Sequence, residues 1–400
     1  MSASPVGIDD LSVYVPQLYF PIEDLATARD LSYPKLSKGL GLLQMAVADA
    51  REDAATMAAN AVLDLMHKND LDPNDIGRLY LGTESALDGA KPTATYVLDM
   101  LQDHFTDSHG GNCFLNCDVV DLTFACIGAV DALQNSLEWA AAKDGRIGIV
   151  VASDEAKYEM NSPGEYTQGA GAVAMVVKQN PRLLAIDPDF GVATRPAHDF
   201  FKPNRKVTKR EIINEVLDLL PDTSAEDFNV DELLGKLSEG LDCNGVLDCN
   251  DNDLYLHKVT PVFDGPYSND AYQARIREAL QDYRRRSGKK EGELLNDFSH
   301  LGQSICVFAY GSGSKSKVFG ATLQAGWEEV ANGFDLKARL ENRQAIDYPT
   351  YEKLHRGALK ENVANSDGGS FFLADVHDER NETEGVRHYG YASFLAPTTA

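Results

Sequence analysis

Four hundred residues, 43% of them apolar, supply material for one large domain or two fused halves around a buried core. A formal net charge of -25, from 62 acidic against 37 basic side chains, repels nucleic acid and anionic membrane and sets both aside as partners. Six cysteines (113, 117, 126, 243, 249 and 306) without a charged-then-apolar leader do not make a secreted disulfide framework, and runs such as Ile147 to Ala152 are too short to span a bilayer. Reduced thiols in a cytoplasmic protein are expected.

Gly7 to Val15 predicts a first strand, followed by a turn marked by Pro16 and Pro21, and Ser37 to Gly41 reads as a loop. From Asp53 to His67, small and apolar residues recur at helical spacing (Ala54, Ala55, Ala58, Ala59, Val62, Leu63, Met66), which predicts a helix packed closely on a sheet. Arg78 to Gly82 reads as a buried strand that delivers Thr83-Glu84-Ser85 at its C-terminal end. Open α/β sheets present groups to a ligand crevice there, so Glu84 is a candidate working carboxylate; a solvated loop glutamate is the alternative. Thr95 to Asp103 follows as a helix, Cys113 to Val120 as a strand-like run, Ala129 to Ala142 as a helix and Arg146 to Ser153 as the most β-like run of the chain. Gln168 to Val177 is a glycine-rich turn entering a further strand. This alternation over the first 180 residues describes a layered α/β unit.

Within it, Asp121 to Val130 holds a lone cysteine, Cys126, among small and apolar neighbours directly before a helix. A buried thiolate nucleophile needs this setting: close access for an acyl group, and a helix N-terminus that lowers the thiol pKa. The competing reading is a small core residue.

From about Pro181 the pattern loosens. His198 to Asn204 is a dense polar and aromatic cluster, and Lys202, Arg205, Lys206, Lys209 and Arg210 form the strongest basic patch on the acidic chain, suited either to phosphates of an anionic substrate or to solvent. Glu211 to Asn252 is acidic and locally helical. Asp242 to Gly245 and Asp248 to Asp253 look like a calcium loop without its glutamate, and Cys243 and Cys249 make a poor zinc site, so no metal or cofactor is expected. Tyr272 to Arg286 predicts a helix and Ser304 to Tyr310 a strand opening into Gly311 to Ser314; a helical stretch and a Phe371 to Leu373 strand close the chain.

Five segments in register carry a resemblance: Gly82 to Ser85, Phe124 to Cys126, Gln168 to Met175, Asp199 to Pro203 and Tyr310 to Gly313. Together they look like hydroxymethylglutaryl-CoA synthase, a branch of the thiolase superfamily. The likeness runs through residues 1 to about 206, resumes at Asp264-Gly265 as far as Tyr283, and returns from about Leu301 to the end, including Glu341-Asn342-Arg343. Ser37 to Gly41 and Glu52 to Asn60 look most like the archaeal members. The resemblance implies a five-layered αβαβα thiolase-like fold of two similar halves, taken as residues 1–180 and 181–400, usually a homodimer. It also implies a reaction in which acetyl-CoA acylates the cysteine and its enol condenses with acetoacetyl-CoA, on the mevalonate route to isoprenoids, with a thiolase as a partner. By position, Cys126 would be the acylated nucleophile and Glu84 the acid/base at the acetyl methyl group. The N–H groups of Cys126 and Ser312 would form the oxyanion hole, with Asp154 and Asp199 as supporting aspartates; Lys202, from the basic patch, and His198, as a stand-in for a family histidine, are the further candidates on the substrate side. A thioester intermediate, an enolate and an oxyanion each require one of these group types.

The chain departs from the family in its second half. The family's Phe-His-x-Pro-[Tyr/Phe] motif, the long helical block after it and an Asn-x-Tyr-Thr-Gly segment have no match. The nearest look-alike, Val262 to Tyr267, has Asp264 in place of histidine and reads instead as the family's Asp-Gly segment. An unmatched insert, about Val207 to Thr260, lies upstream, and Ile127 replaces a tyrosine that many members carry. His198, His257 and His300 are the candidate substitutes for the histidine. Three readings follow: a synthase of this family, a relative that transfers or hydrolyses the acyl group without the condensation, and a non-catalytic paralogue that binds acyl-CoA or serves as a scaffold.

Overall fold

The computed structural model describes residues 4–198, 205–208, 253–256, 269–288, 304–365, 368–377, 383 and 385–393. The chain opens with β1 (Val6–Tyr14), β2 (Leu18–Pro21), α1 (Ile22–Ala28) and β3 (Gln44–Val47), with Lys35–Gly39 coiled into a short π-helical turn where the sequence reads as a loop. α2 (Ala54–Lys68) starts at a reciprocal cap. The Asp53 carboxylate accepts the Thr56 N–H at 2.8 Å, and the Thr56 hydroxyl accepts the Asp53 N–H at 2.8 Å. Its alanines let the helix lie close against the sheet, and it is buried from Ala54 to Leu63.

β4 (Ile76–Gly82), α3 (Thr93–His109), β5 (Asp118–Leu122), α4 (Gly128–Ala141), β6 (Ile147–Ala156) and β7 (Gly169–Gln179) complete the alternation expected of the first half. Beyond it come β8 (Leu184–Thr194), β9 (Arg205–Thr208), β10 (Asp253–Leu256), α5 (Asn269–Ser287), β11 (Ser304–Gly311) and β12 (Lys315–Leu323). The short helices α6 (Trp327–Asn332) and α7 (Leu336–Glu341), then β13 (Gln344–Ala345), α8 (Tyr348–His355), β14 (Ser370–Val376) and β15 (Arg387–Ala392) follow. Phe200–Gly265 forms a compact unit of its own, described only through the antiparallel pair β9 and β10. The remainder packs as one unit.

Eight strands make one mixed sheet in the order β11-β12-β8-β1-β7-β6-β4-β5. β4 runs parallel to β5 and β6, whereas β7 runs antiparallel to β6 and β1. The C-terminal strands repeat part of this plan, because β12 runs antiparallel to β11 and β8, and β8 meets β1 through Gly7↔Ala185 and Ile8↔Leu184. The block β6-β7-β1 is thus answered by β11-β12-β8, which makes the two halves similar. Counterparts of β4 and β5 are missing from the second half among the described residues.

Alternation along β6 divides the core. Ile149 and Val151 join the apolar cluster under α2 and α3, and Val150 joins the cluster under α4 with Phe190 and Phe319. A third cluster gathers Leu18, Phe20, Ile22 and Leu25, with the Tyr351 ring stacked on Phe20 at 4.6 Å.

β8 falls where the sequence pattern loosens. Pro188 lacks an N–H for the ladder, and the β8–β12 register shifts between Phe319↔Phe190 and Ala321↔Ile186, so the strand carries an irregularity that hides its period. Among the described residues no helix is long and apolar enough to cross a membrane.

Candidate active site

The site is assembled where β4 and β5 end. A methyl group on Gly82 would collide with the backbone N of Ala129, and one on Gly128 with the Leu122 carbonyl oxygen. Glycine at both positions lets the first turn of α4 settle onto the strand ends. Between β5 and α4 the chain turns sharply, with Ile127 N–H donating to the Phe124 carbonyl at 3.1 Å and Ala125 in the left-handed region at φ 40°. That conformation is strained for a residue with a Cβ, and it presents the next side chain, Cys126, outward.

Cys126 Sγ lies 3.5 Å from Glu84 Oε1. Asp154, on β6, holds Glu84 in place: one of its carboxylate oxygens accepts the Glu84 N–H at 2.8 Å and the Thr83 hydroxyl at 2.9 Å. Ser85 N–H closes the loop onto Thr83 Oγ1 at 2.9 Å, and the Ser85 hydroxyl reaches the Glu155 carbonyl at 3.1 Å. Burial pushes the Asp154 carboxyl above the usual carboxylate range, against these hydrogen bonds.

Two expectations for Cys126 need correction. The residue is exposed rather than buried, and its thiol pKa is raised to about 11 rather than lowered. Although the residue is exposed at the turn, the protein around Sγ makes desolvation the largest cause and the Glu84 carboxylate the next, against a smaller lowering by a backbone hydrogen bond.

Ser312 is buried in the turn that joins β11 to β12. A methyl on Gly311 would meet both the Phe124 carbonyl oxygen and Ile127 Cγ2 at 2.7 Å, and the space above Gly313 faces the Phe124 ring. The Ser312 turn is therefore pressed against the Cys126 turn. Its other side is tied to the end of β8, where Ser314 and Arg195 exchange backbone hydrogen bonds of 2.8 and 3.0 Å and Ala197 N–H donates to the Gly313 carbonyl at 2.7 Å. His198 follows directly and is exposed.

Asp199 and Lys202 lie outside the described residues, as do His257, His300, Asp264, Cys243 and Cys249. Arg205 and Lys206 are described as members of β9. Sequence reading did not single out Asp131, Lys315 and Lys317, which cluster beside the Ser312 turn; Lys-Ser-Lys directly after small residues was the available signal. It also passed over a cavity of about 300 Å³ whose walls include Arg29, Lys35, Asn161 and Tyr166. Among the described residues no group of three or more His, Cys, Asp or Glu side chains is arranged to hold a metal.

A thiol beside a carboxylate at the ends of parallel strands, in a sheet of two related halves, defines a thiolase-like scaffold for acyl transfer. Residues 3–181 match the family described as hydroxymethylglutaryl-coenzyme A synthase N terminal. A hydroxymethylglutaryl-CoA synthase of Enterococcus faecalis is 30% identical over 379 residues, covering 90% of this chain and 93% of that protein. One of Haloferax volcanii is 30% identical over 293 residues, 72% of this chain but only 53% of that protein's length. The solved structure of "MvaS in complex with 3-hydroxy-3-methylglutaryl coenzyme A" superposes with a TM-score of 0.65 at 25% identity, covering 98% of this chain and all of that one. The chain belongs to the hydroxymethylglutaryl-CoA synthase family, a family of condensing acyltransferases.

Proposed function

We propose that the protein condenses acetyl-CoA with acetoacetyl-CoA, or a related 3-ketoacyl thioester, through an acetyl-Cys126 intermediate. The 3.5 Å contact between Cys126 Sγ and Glu84 Oε1 carries this reading, because each chemical step needs a proton moved at that spot. In acylation, Sγ bonds to the acetyl carbonyl carbon as its proton passes to Glu84. The tetrahedral adduct then expels the CoA sulfur, which takes that proton. The N–H groups of Cys126 and Ser312 are assigned to the oxyanion of this adduct.

In condensation, the Glu84 carboxylate removes a proton from the acetyl methyl group and the enol carbon bonds to the ketone carbon of the second thioester, whose oxygen takes a proton. Water finally cleaves the Cys126 thioester and restores the thiol. Asp154 acts by fixing Glu84, and we assign Asp199 and Lys202 to the substrate side. His198, next to the backbone contact between Ala197 and Gly313, is the residue assigned to the ketone oxygen in place of the family histidine. The MvaS structure was solved with 3-hydroxy-3-methylglutaryl coenzyme A, which supports a product of that class. We place the reaction on the mevalonate route, in a cytoplasmic homodimer supplied by a thiolase.

Intact mass after incubation with acetyl-CoA, with and without acetoacetyl-CoA, tests the proposal on wild type and Cys126→Ala. An acetyl adduct confined to wild type and discharged as hydroxymethylglutaryl-CoA is expected. An adduct that persists with acetoacetyl-CoA present limits the protein to the first half-reaction, and no adduct at all overturns the reading.

A further inference from the structure

Asp131, Lys315 and Lys317 form an ion cluster that the reaction above does not use. Asp131 stands in the first turn of α4, shortly after Cys126. Lys315 and Lys317 are alternate residues at the start of β12, immediately after the Ser312 turn, so both side chains leave the strand on one face. Lys315 Nζ pairs with Asp131 Oδ2, while Lys317 Nζ lies 2.7 Å from Asp131 Oδ1 and also donates to Gln134 Oε1. The three side chains are 14%, 14% and 8% exposed, in the order Asp131, Lys315, Lys317. Lys315 Nζ sits 4.1 Å from the centroid of the Phe124 ring, the same ring that faces Gly313.

Two ammonium groups sharing one carboxylate leave the cluster with excess positive charge, and withdrawing it from water is costly. Apolar side chains of similar volume would join a helix to a strand here at less cost, so packing alone does not call for ions. A carboxylate bridged by two cations does something apolar contact does not: it fixes the direction and separation of the two elements it joins. The elements joined are the helix that follows Cys126 and the strand that follows Ser312.

We propose that Asp131, Lys315 and Lys317 are positioning residues, clamping the Ser312 turn to the start of α4 and so setting the spacing between the two N–H donors assigned to the oxyanion. This inference rests on the acyl-transfer reading of Cys126. Loss of the clamp lets the turn drift from Cys126 without emptying the substrate site.

The test compares wild type, Asp131→Asn and the combined Asp131→Leu, Lys315→Met, Lys317→Met variant. Three quantities are followed: Tm, the rate of Cys126 acetylation by acetyl-CoA from intact mass, and hydrogen exchange of the 311–316 amides. Asp131→Asn is expected to slow acetylation at saturating acetyl-CoA by roughly ten- to a hundredfold, with the half-saturating concentration unchanged and exchange faster at 311–316 alone. The apolar variant is expected to recover Tm but not rate. A wild-type acetylation rate in Asp131→Asn, or an apolar variant that regains rate together with Tm, overturns the clamp. If wild type takes up no acetyl group, the Cys126 reading fails separately. The clamp then stands on faster exchange at 311–316 in Asp131→Asn and falls if that exchange is unchanged.

Discussion

Cys126 Sγ faces Glu84 Oε1 at 3.5 Å because β4 and β5 are parallel neighbours with Gly82 opposite Leu122. Glu84 leaves the end of one strand and Cys126 the turn beyond the other, so the hydrogen-bonded ladder brings the two segments together, and the Ala125 turn and the Asp154 hydrogen bonds set the final spacing. With its thiol raised to about 11, Cys126 rests at neutral pH in the protonated form, 3.5 Å from Glu84 Oε1. The Glu84 charge thus opposes a free thiolate, and its proposed part as base is confined to taking the proton as Sγ attacks a bound thioester.

Replacing Glu84 by Gln removes the carboxylate charge that raises the Cys126 thiol. The thiol pKa then falls, and iodoacetamide at pH 8 should alkylate Cys126 faster in Glu84→Gln than in wild type. A thiol pKa lower by about one gives roughly tenfold more thiolate, and the weaker nucleophilicity of a more acidic thiol trims this to roughly threefold. Condensation should fall in the same variant. Alkylation slower than wild type would mean that Glu84 promotes thiolate formation instead of opposing it.

Asp154 works through two hydrogen bonds accepted by a single oxygen, which an asparagine carbonyl reproduces. Asp154→Asn should keep most activity. Asp154→Ala leaves the Glu84 N–H and the Thr83 hydroxyl without their acceptor, at a cost of about 1–3 kcal/mol, and should lower kcat by at least tenfold with less change in KM. Equal activities in the two variants would assign Asp154 a role in charge rather than in placement.

Gly82 is a steric requirement that can be tested without substrate. In Gly82→Ala the new methyl collides with backbone atoms of Gly128 and Ala129, so α4 must lift from the end of β4. A loss of about 1–3 kcal/mol in denaturant unfolding is expected, together with altered Cys126 alkylation. Unchanged stability and reactivity would show that the α4 start tolerates displacement.

The first half of the fold was legible because its helices and strands carry clean periods. Asp53 and Thr56 mark the start of α2, and the buried runs of β4 and β6 point to a central sheet. β8 and β12 were missed because Pro188 interrupts one and Lys315-Ser316-Lys317 makes the other open like a loop. Cys126, Glu84, Asp154 and Ser312 were named through the family resemblance, and the structure brings the first three into contact across strand ends far apart in sequence. The sign of the thiol shift could not, since it depends on how much protein surrounds Sγ and on a carboxylate from another strand. The Asp131 cluster was equally invisible: its members are ordinary surface residues until α4 and β12 are brought together.

Glu52 should make stability depend on pH in a direction opposite to ordinary carboxylates. Tyr14 OH donates to its Oε1 and Asp49 N–H to its Oε2, the latter at 2.7 Å, yet burial, helped by Asp49 and Glu155, lifts its pKa from 4.5 to about 7. A carboxyl whose folded pKa exceeds its unfolded value binds its proton more tightly in the native state. Its stabilising contribution is complete below pH 4.5 and is lost as pH rises through about 7. Glu52→Gln keeps an acceptor for the Asp49 N–H and cannot ionise, so its Tm relative to wild type should climb between pH 5 and 8. A gain on the order of a few °C is expected at the upper end. Comparing the two proteins at each pH removes the repulsion that the rest of this acidic chain contributes to both. A Tm difference that stays constant across the range would show that Glu52 ionises in the folded protein as readily as in the unfolded one.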